Sequence, residues 1–192
     1  PGHPLLKRLF LEAPGTSQHS IMVSNLADTA AEAVGADALL CKVSAYYHDV
    51  GKLKNPYYFT ENITDENPHD KLPIAESVSI ITSHFPEGVK LARKYGIPTP
   101  ILDIIIEHHG TTAPMYFFHK AKEQAIKDRT PEPILDDFKY PGRIPQSKES
   151  AIVMLADTCE AAVKSLNTTN LDEVEAMIRK VVKHKVELDQ LV

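Results

Sequence analysis

The sequence predicts an all-α fold. Two observations carry that reading: apolar residues recur at helical spacing through most of the chain, and no segment shows the period-two alternation of a half-buried strand. A third sets the scale. With 192 residues, 43% hydrophobic and 24% charged, the chain suffices for one domain with a full-sized core.

The elements follow in order. In SIMVSNLADTAAEAVG, Ile21, Met22, Leu26, Ala30 and Val34 share the apolar face, and Gly35 is the C-terminal stop. Asp37 caps the next helix, ALLCKVSAYYHDV, which ends at Gly51. NPYYFTENITDENPHDKLP is rich in Asn, Pro and Asp and reads as a long loop. It flows into the helix IAESVSIITSHF, broken at Pro86, and a short helix runs from Pro86 to Tyr95 with Gly96 closing it. Thr99 caps PILDIIIEHHG, with Pro100 at the favoured first helical position.

A second long loop, TPEPILDDFKYPGRIPQSK, holds four prolines. The long helix ESAIVMLADTCEAAVKSL follows. Asn170 and Glu173 then resemble a capping box for LDEVEAMIRKVVKHKVELDQLV. Residues 1–192 thus read as one helical domain with two long loops near its polar positions.

Bulk properties narrow the function. Net charge is -5 and the basic residues are scattered, which argues against a nucleic-acid polymer as partner, since such binding needs a basic stripe. A small anion held by one or two cations and a metal remains compatible. Cys41 and Cys159 lie in apolar helical stretches without a close-spaced thiol and read as reduced core residues; two cysteines exclude a cysteine-ligated zinc site. No apolar run approaches the roughly 18 residues of a membrane span. The chain opens PGHPLLKRLF without a methionine and reads as a domain excised from a longer protein.

Nine histidines stand at 3, 19, 48, 69, 84, 108, 109, 119 and 184. His19, His48, His84, His108 and His109 fall at or near predicted helix ends, where a single histidine is ordinarily hydrogen-bonded or solvated. Asp157 is less ordinary. It sits among small and apolar neighbours in AIVMLADTCEAAV, where a carboxylate must be paired, metal-bound or at an exposed edge. Asp49 poses the same problem at the end of another apolar helix. Together His19, His48, Asp49, His84, His108, His109 and Asp157 make seven potential ligands. Two metals with four protein contacts each need eight, and one bridging carboxylate supplies the eighth. Asp49 is the natural bridge, because a carboxylate offers two oxygens and an imidazole one free nitrogen.

The paired His48-Asp49 within HDVGK, and the order of all seven residues, resemble the HD superfamily of metal-dependent phosphohydrolases. That order matches the two-metal phosphodiesterase branch, since the single-metal nucleotidase branch lacks the middle histidines. HPLLKRLFLEAPGT, AYYHDVGKLKNPYYF, NPHDKL, IITSH, IIEHHGT and SAIVMLADTCEAA further resemble the cytoplasmic domain of the seven-transmembrane-receptor HD family, the PgpH-type phosphodiesterases. The Gly-Tyr-Pro motif that follows the paired histidines in cyclic di-GMP phosphodiesterases is replaced here by HHGTTAPMYFF. Ser17 departs from the pattern, standing where an aromatic residue is expected.

The resemblance implies an HD helical bundle around two divalent transition-metal ions, iron or manganese. It implies cyclic di-AMP as substrate, linear pApA as product, and hydroxide activated between the metals as nucleophile. It implies, too, a membrane-anchored parent protein with this domain at the cytoplasmic face of a bacterial membrane. Asp49 and Lys52 are the expected catalytic residues, with Lys52 on a phosphate oxygen and Arg143 as a clamp on the second phosphate. Tyr46, Tyr47, Tyr57, Tyr58, Tyr116 and Phe117 offer aromatic faces to a purine, Tyr46 and Tyr47 at core-like spacing. His69 and His119 are spare histidines in loops, and either could serve as a proton donor. The alternatives are an HD module that binds a nucleotide without turnover, which would be expected to have lost ligands, and a single-metal nucleotide phosphohydrolase.

Overall fold

The computed structural model describes residues 2–191, and among them the chain forms helices and no strand. Helices α1 (Pro4–Glu12), α2 (Pro14–Val34) and α3 (Ala38–Tyr47) come first. Helices α4 (Ile74–Thr82), α5 (His84–Lys94), α6 (Thr99–Glu107) and α7 (Met115–Asp128) form the middle, and α8 (Lys148–Leu166) and α9 (Leu171–Glu187) close the bundle. The expected caps at both ends of the α2–α3 connection are present: Gly35 ends α2 with φ 67°, and the Asp37 carboxylate accepts from Leu40 N–H. Asn170 caps α9 through Asp172 N–H and Glu173 N–H.

Two apolar clusters hold the bundle together. One joins Leu5 and Leu9 of α1 to Tyr47, Val50, Ala92, Ile101 and Ile105. The other packs Val23, Ala27 and Ala31 of α2 against Cys41, Ala45, Ile104 and Val153. Both cysteines are buried and free.

The buried face of α2 differs from the apolar face read from its sequence. Ile21, Met22, Leu26 and Val34 are 44 to 58% exposed, while Ser20, Val23, Ser24, Ala27 and Ala31 are buried. The reason is crowding. α2 runs against α1, α3 and α8, and small side chains let helix axes approach closely.

Other boundaries move for local reasons. α4 ends at Thr82 rather than Pro86, because Pro86 has no N–H to give the Thr82 carbonyl; the proline itself sits in the first turn of α5. α6 begins at Thr99, whose side chain makes no cap, with Pro98 at the N-cap position. α7 occupies a stretch whose only buried side chain is Phe117, so it has little periodic signal, and His119 is an exposed helical residue. The loop after α3 is ordered by 3-10 turns at Pro56–Tyr58, Thr60–Asn62 and Pro68–Lys71. Asn62 pins it to α2 by accepting from Thr16 N–H (3.1 Å) and donating to Thr16 Oγ1 (2.8 Å). His69, buried in this loop, pairs through Nε2 with Tyr58 O at 2.7 Å.

Candidate metal centre

All seven residues singled out from the sequence converge. His19 comes from α2, His48 and Asp49 from the end of α3, His84 from the start of α5, His108 and His109 from the end of α6, and Asp157 from α8. His48 and His108 are 0% exposed and Asp49 2%, so the cluster lies inside the protein.

Helix ends explain how three rings are aimed. The last carbonyls of a helix lack intrahelical partners. His48 Nδ1–H donates to Ala45 O (2.6 Å), His108 Nδ1–H to Ile105 O (2.7 Å), and His84 Nδ1–H to Ile81 O. Each ring thereby satisfies an orphan carbonyl three residues back, which makes Nδ1 the donor and turns Nε2 inward. His19 is mid-helix and needs a different support. Its Nδ1 lies 2.6 Å from Glu160 Oε2, and its Nε2 lies 2.9 Å from Asp157 Oδ1.

Asp49 stands between two groups of nitrogens. Its Oδ2 is 3.3 Å from His48 Nε2 and 3.8 Å from His19 Nε2, while its Oδ1 is 3.5 Å from both His84 Nε2 and His108 Nε2. His109 Nδ1 lies 3.7 Å from Asp157 Oδ2, and its ring stacks on Tyr140 at 4.6 Å between centroids. Two triads, His19 with His48 and Asp157 and His84 with His108 and His109, each bring one ligand atom per residue within 4.8 Å of one another.

The donor set fits a cation. His48 Nε2 and Asp49 Oδ1 are fully buried and have no hydrogen-bond partner, an arrangement that is costly unless each meets a cation. Imidazole and carboxylate together suit first-row transition metals better than magnesium or calcium.

Charge within the cluster follows the same logic. Burial drives Asp49 and Asp157 toward their neutral forms, but Lys52 and His48 around Asp49, and His19 and His48 around Asp157, hold both well below the usual carboxylate range. Burial pulls His48 down, yet Asp49 and Asp157 outweigh it and raise the ring to about 10. Burial pushes His84 to about 3, with His108 and Lys52 adding to it. His84 is thus a ready lone-pair donor at neutral pH. His48 holds a proton that an entering metal displaces, so metal retention weakens as pH falls.

Lys52 lies at the same centre, 2.8 Å from Asp49 Oδ2 and 2.7 Å from Glu61 Oε1. It lines a cavity of about 460 Å³ with His19, Asp49, His109, Asp157 and Glu160, and Lys164 brings a second cation. Arg143 does otherwise. Its guanidinium binds Glu107 (2.7 Å) and Asp103 (2.8 Å) on α6. Glu107 is 2% exposed and needs the charge. Of the aromatic faces, Tyr57 and Tyr116 are exposed, whereas Tyr47 and Phe117 are buried.

Glu160, Glu61 and Tyr140 were not singled out from the sequence. Glu160 follows Asp157 by three residues, hence on the same helical face, so its spacing carried a usable signal. Glu61 reaches Lys52 from an ordered loop and had none. Because Glu160 fixes the His19 ring, Glu160→Ala should weaken metal retention roughly ten- to a hundredfold while the melting temperature of the metal-free protein holds. Chelator competition on the variant measures this, and unchanged retention would remove Glu160 from the centre.

A helical bundle that buries an adjacent His-Asp pair among four further histidines and an aspartate defines a class of metal-dependent hydrolases. The HD domain family matches residues 16–162, and the chain belongs to it. Within that family the crystal structure of the L. monocytogenes phosphodiesterase PgpH HD domain superposes with a TM-score of 0.90 at 40% identity, covering 98% of this chain and 87% of that one. The same domain in complex with cyclic-di-AMP gives 0.92 at 41%, over 98% and 85% of the two chains. The cyclic-di-AMP phosphodiesterase PgpH of Bacillus subtilis (strain 168) is 46% identical over 188 residues, 97% of this chain and 26% of that protein. The chain therefore spans about a quarter of the length of the curated relatives it matches.

Proposed function

We propose that residues 1–192 are a single HD phosphohydrolase domain that hydrolyses cyclic di-AMP to linear pApA with two bound metal ions. The observation that carries the two-metal reading is the opposed placement of the Asp49 oxygens, one toward His19 and His48 and the other toward His84 and His108. His19, His48, Asp49 and Asp157 would hold the first ion, and Asp49, His84, His108 and His109 the second. These donors suit first-row transition metals in general, and the family resemblance favours iron or manganese among them. When bound, such ions supply Lewis acidity and make water a competent nucleophile at neutral pH.

The chain's own groups do the rest. Asp49, with one oxygen toward each group of nitrogens, would place negative charge between two bound ions. Lys52, braced by Asp49 and Glu61, presents a fixed ammonium to a phosphate oxygen, so charge developing on that oxygen meets a preorganised partner. The walls of the cavity confine a substrate of nucleotide size. The substrate is assigned from the relatives named for cyclic-di-AMP and the related domain crystallised with it. As in such a family, the domain would serve a membrane-anchored protein at the cytoplasmic face; among the described residues no helix is long and apolar enough to cross a membrane.

Turnover of cyclic di-AMP and cyclic di-GMP by the same metal-analysed preparation tests the reading. Two metals per chain and a higher kcat/KM for cyclic di-AMP are expected. One metal per chain would favour a nucleotide phosphohydrolase, and equal or better cleavage of cyclic di-GMP would overturn the substrate. Lys52→Ala should leave both metals bound and lower kcat/KM by roughly ten- to a thousandfold, about 1.4 to 4 kcal/mol of lost charge stabilisation. Steady-state constants within about twofold of the parent would take Lys52 out of the chemistry.

A further inference from the structure

Asp157, Glu160, Ala161 and Lys164 of α8 all line the metal-centre cavity. Their spacing of three and four puts them on one face of the helix, so the cavity follows that face for about two turns. Asp157 stands at the buried end, 6% exposed, and Lys164 at the exposed end. The two positions are roughly 10 Å apart along the axis, given the rise of an α-helix. Ala161 leaves room between them. Glu160 is engaged by His19 Nδ1 at 2.6 Å, and among the described residues Lys164, one turn further on, makes no ion pair.

The cavity therefore carries one cation at each end. At the inner end, Lys52 is fixed between Asp49 and Glu61. Arg143, paired with Glu107 and Asp103, is not among the residues that line the cavity. A cyclic dinucleotide has two phosphodiesters, each with a full negative charge, joined through ribose on both sides. When one phosphate meets the metals and Lys52, the sugars hold the other away from those same cations. A helical side chain leans toward the N-terminal end of its helix, which in α8 is the metal end, so Lys164 reaches back from the mouth toward that second charge.

We propose that Lys164 is the specificity residue for the second phosphate of a cyclic dinucleotide whose first phosphate occupies the metal centre. It rests on the two-metal phosphodiesterase reading of that centre and adds a selection rule: the α8 face favours substrates with two phosphates over those with one. Lys164 is remote from the reacting phosphorus. Its contact acts equally on bound substrate and transition state, so it shows in KM rather than kcat.

Steady-state turnover of cyclic di-AMP by the metal-loaded parent, Lys164→Ala and Lys164→Arg tests this. The competitor is ApA, a linear dinucleotide with one phosphodiester and no terminal phosphate. Lys164→Ala should raise KM for cyclic di-AMP roughly five- to fiftyfold, with kcat within about twofold and metal content unchanged. Lys164→Arg keeps a cation and should hold KM within about threefold of the parent. Inhibition by ApA should be the same in the parent and in Lys164→Ala. Added salt should raise KM more steeply for the parent than for Lys164→Ala, because an exposed charge is screened. A KM unmoved by Lys164→Ala would overturn the proposal. So would an equal weakening of ApA, since Lys164 would then hold a group common to both ligands. A parent chain that leaves cyclic di-AMP intact would overturn the reading of the centre and the proposal with it, a failure visible before any substitution is made.

Discussion

Asp49→Ala should abolish turnover, by about a thousandfold or more, and strip at least one metal from the centre while the helical fold persists. The size of the effect follows from position. Asp49 places one oxygen toward His19 and His48 and the other toward His84 and His108, and it also holds Lys52 at 2.8 Å. Without it, two cations would face each other with no charge between them, and the Lys52 ammonium would keep only Glu61. A thousandfold loss corresponds to about 4 kcal/mol of transition-state stabilisation. Metal analysis, turnover and far-ultraviolet circular dichroism on one preparation separate the possibilities. Two retained metals with measurable turnover would end the bridging assignment.

Gly51→Ala should destabilise the fold severely, by about 3 kcal/mol or more, because a methyl group there meets backbone rather than a side chain that can swing away. A Cβ at Gly51 would lie 1.8 Å from His84 O and 2.6 Å from Gly88 N. Two glycines thus face each other where the turn carrying Lys52 rests on the first turns of α5. That contact sets the distance between Asp49 and His84, so the glycine of the HDVGK stretch serves the metal centre through backbone approach. For a chain of this size the loss translates to roughly 6 to 12 °C in melting temperature. Scanning calorimetry of the metal-free protein reads it directly, and an unchanged midpoint would mean that the turn can lift off α5 freely.

Much of the site was legible in the sequence. His19, His48, Asp49, His84, His108, His109 and Asp157 could be picked out because ligand chemistry belongs to residue type, because their order resembles the HD pattern, and because Asp49 and Asp157 stand in otherwise apolar helical stretches. Gly51 reads in the sequence as a helix stop, whereas α3 ends at Tyr47 and Gly51 lies in the 3-10 turn Val50–Lys54; its contact with His84 and Gly88 links segments that local periodicity does not connect. Arg143 shows the converse. As a loop arginine it reads as a phosphate clamp, and nothing local announces its ion pair with the buried carboxylate of Glu107, 36 positions away. The exposed face of α2 has a similar origin. Periodicity identifies which residues share a face, but the number of neighbouring helices decides which face can be buried, and α2 buries the one with alanine and serine.

By itself, then, the sequence determined the all-α class, the helix caps at Gly35, Asp37 and Asn170, and the identity and order of the seven residues that converge in one cluster. All of these depend on a residue's own chemistry or on neighbours within a few positions. Tertiary structure alone decided that the two oxygens of Asp49 point to opposite groups of histidines and that Glu61 braces Lys52. It also decided that Glu160 supports His19 from 141 positions away. Such pairings are fixed by how helices pack. A hydrogen bond or ion pair needs partners within a few ångströms, and only close packing of the whole bundle brings residues so far apart in sequence to that distance.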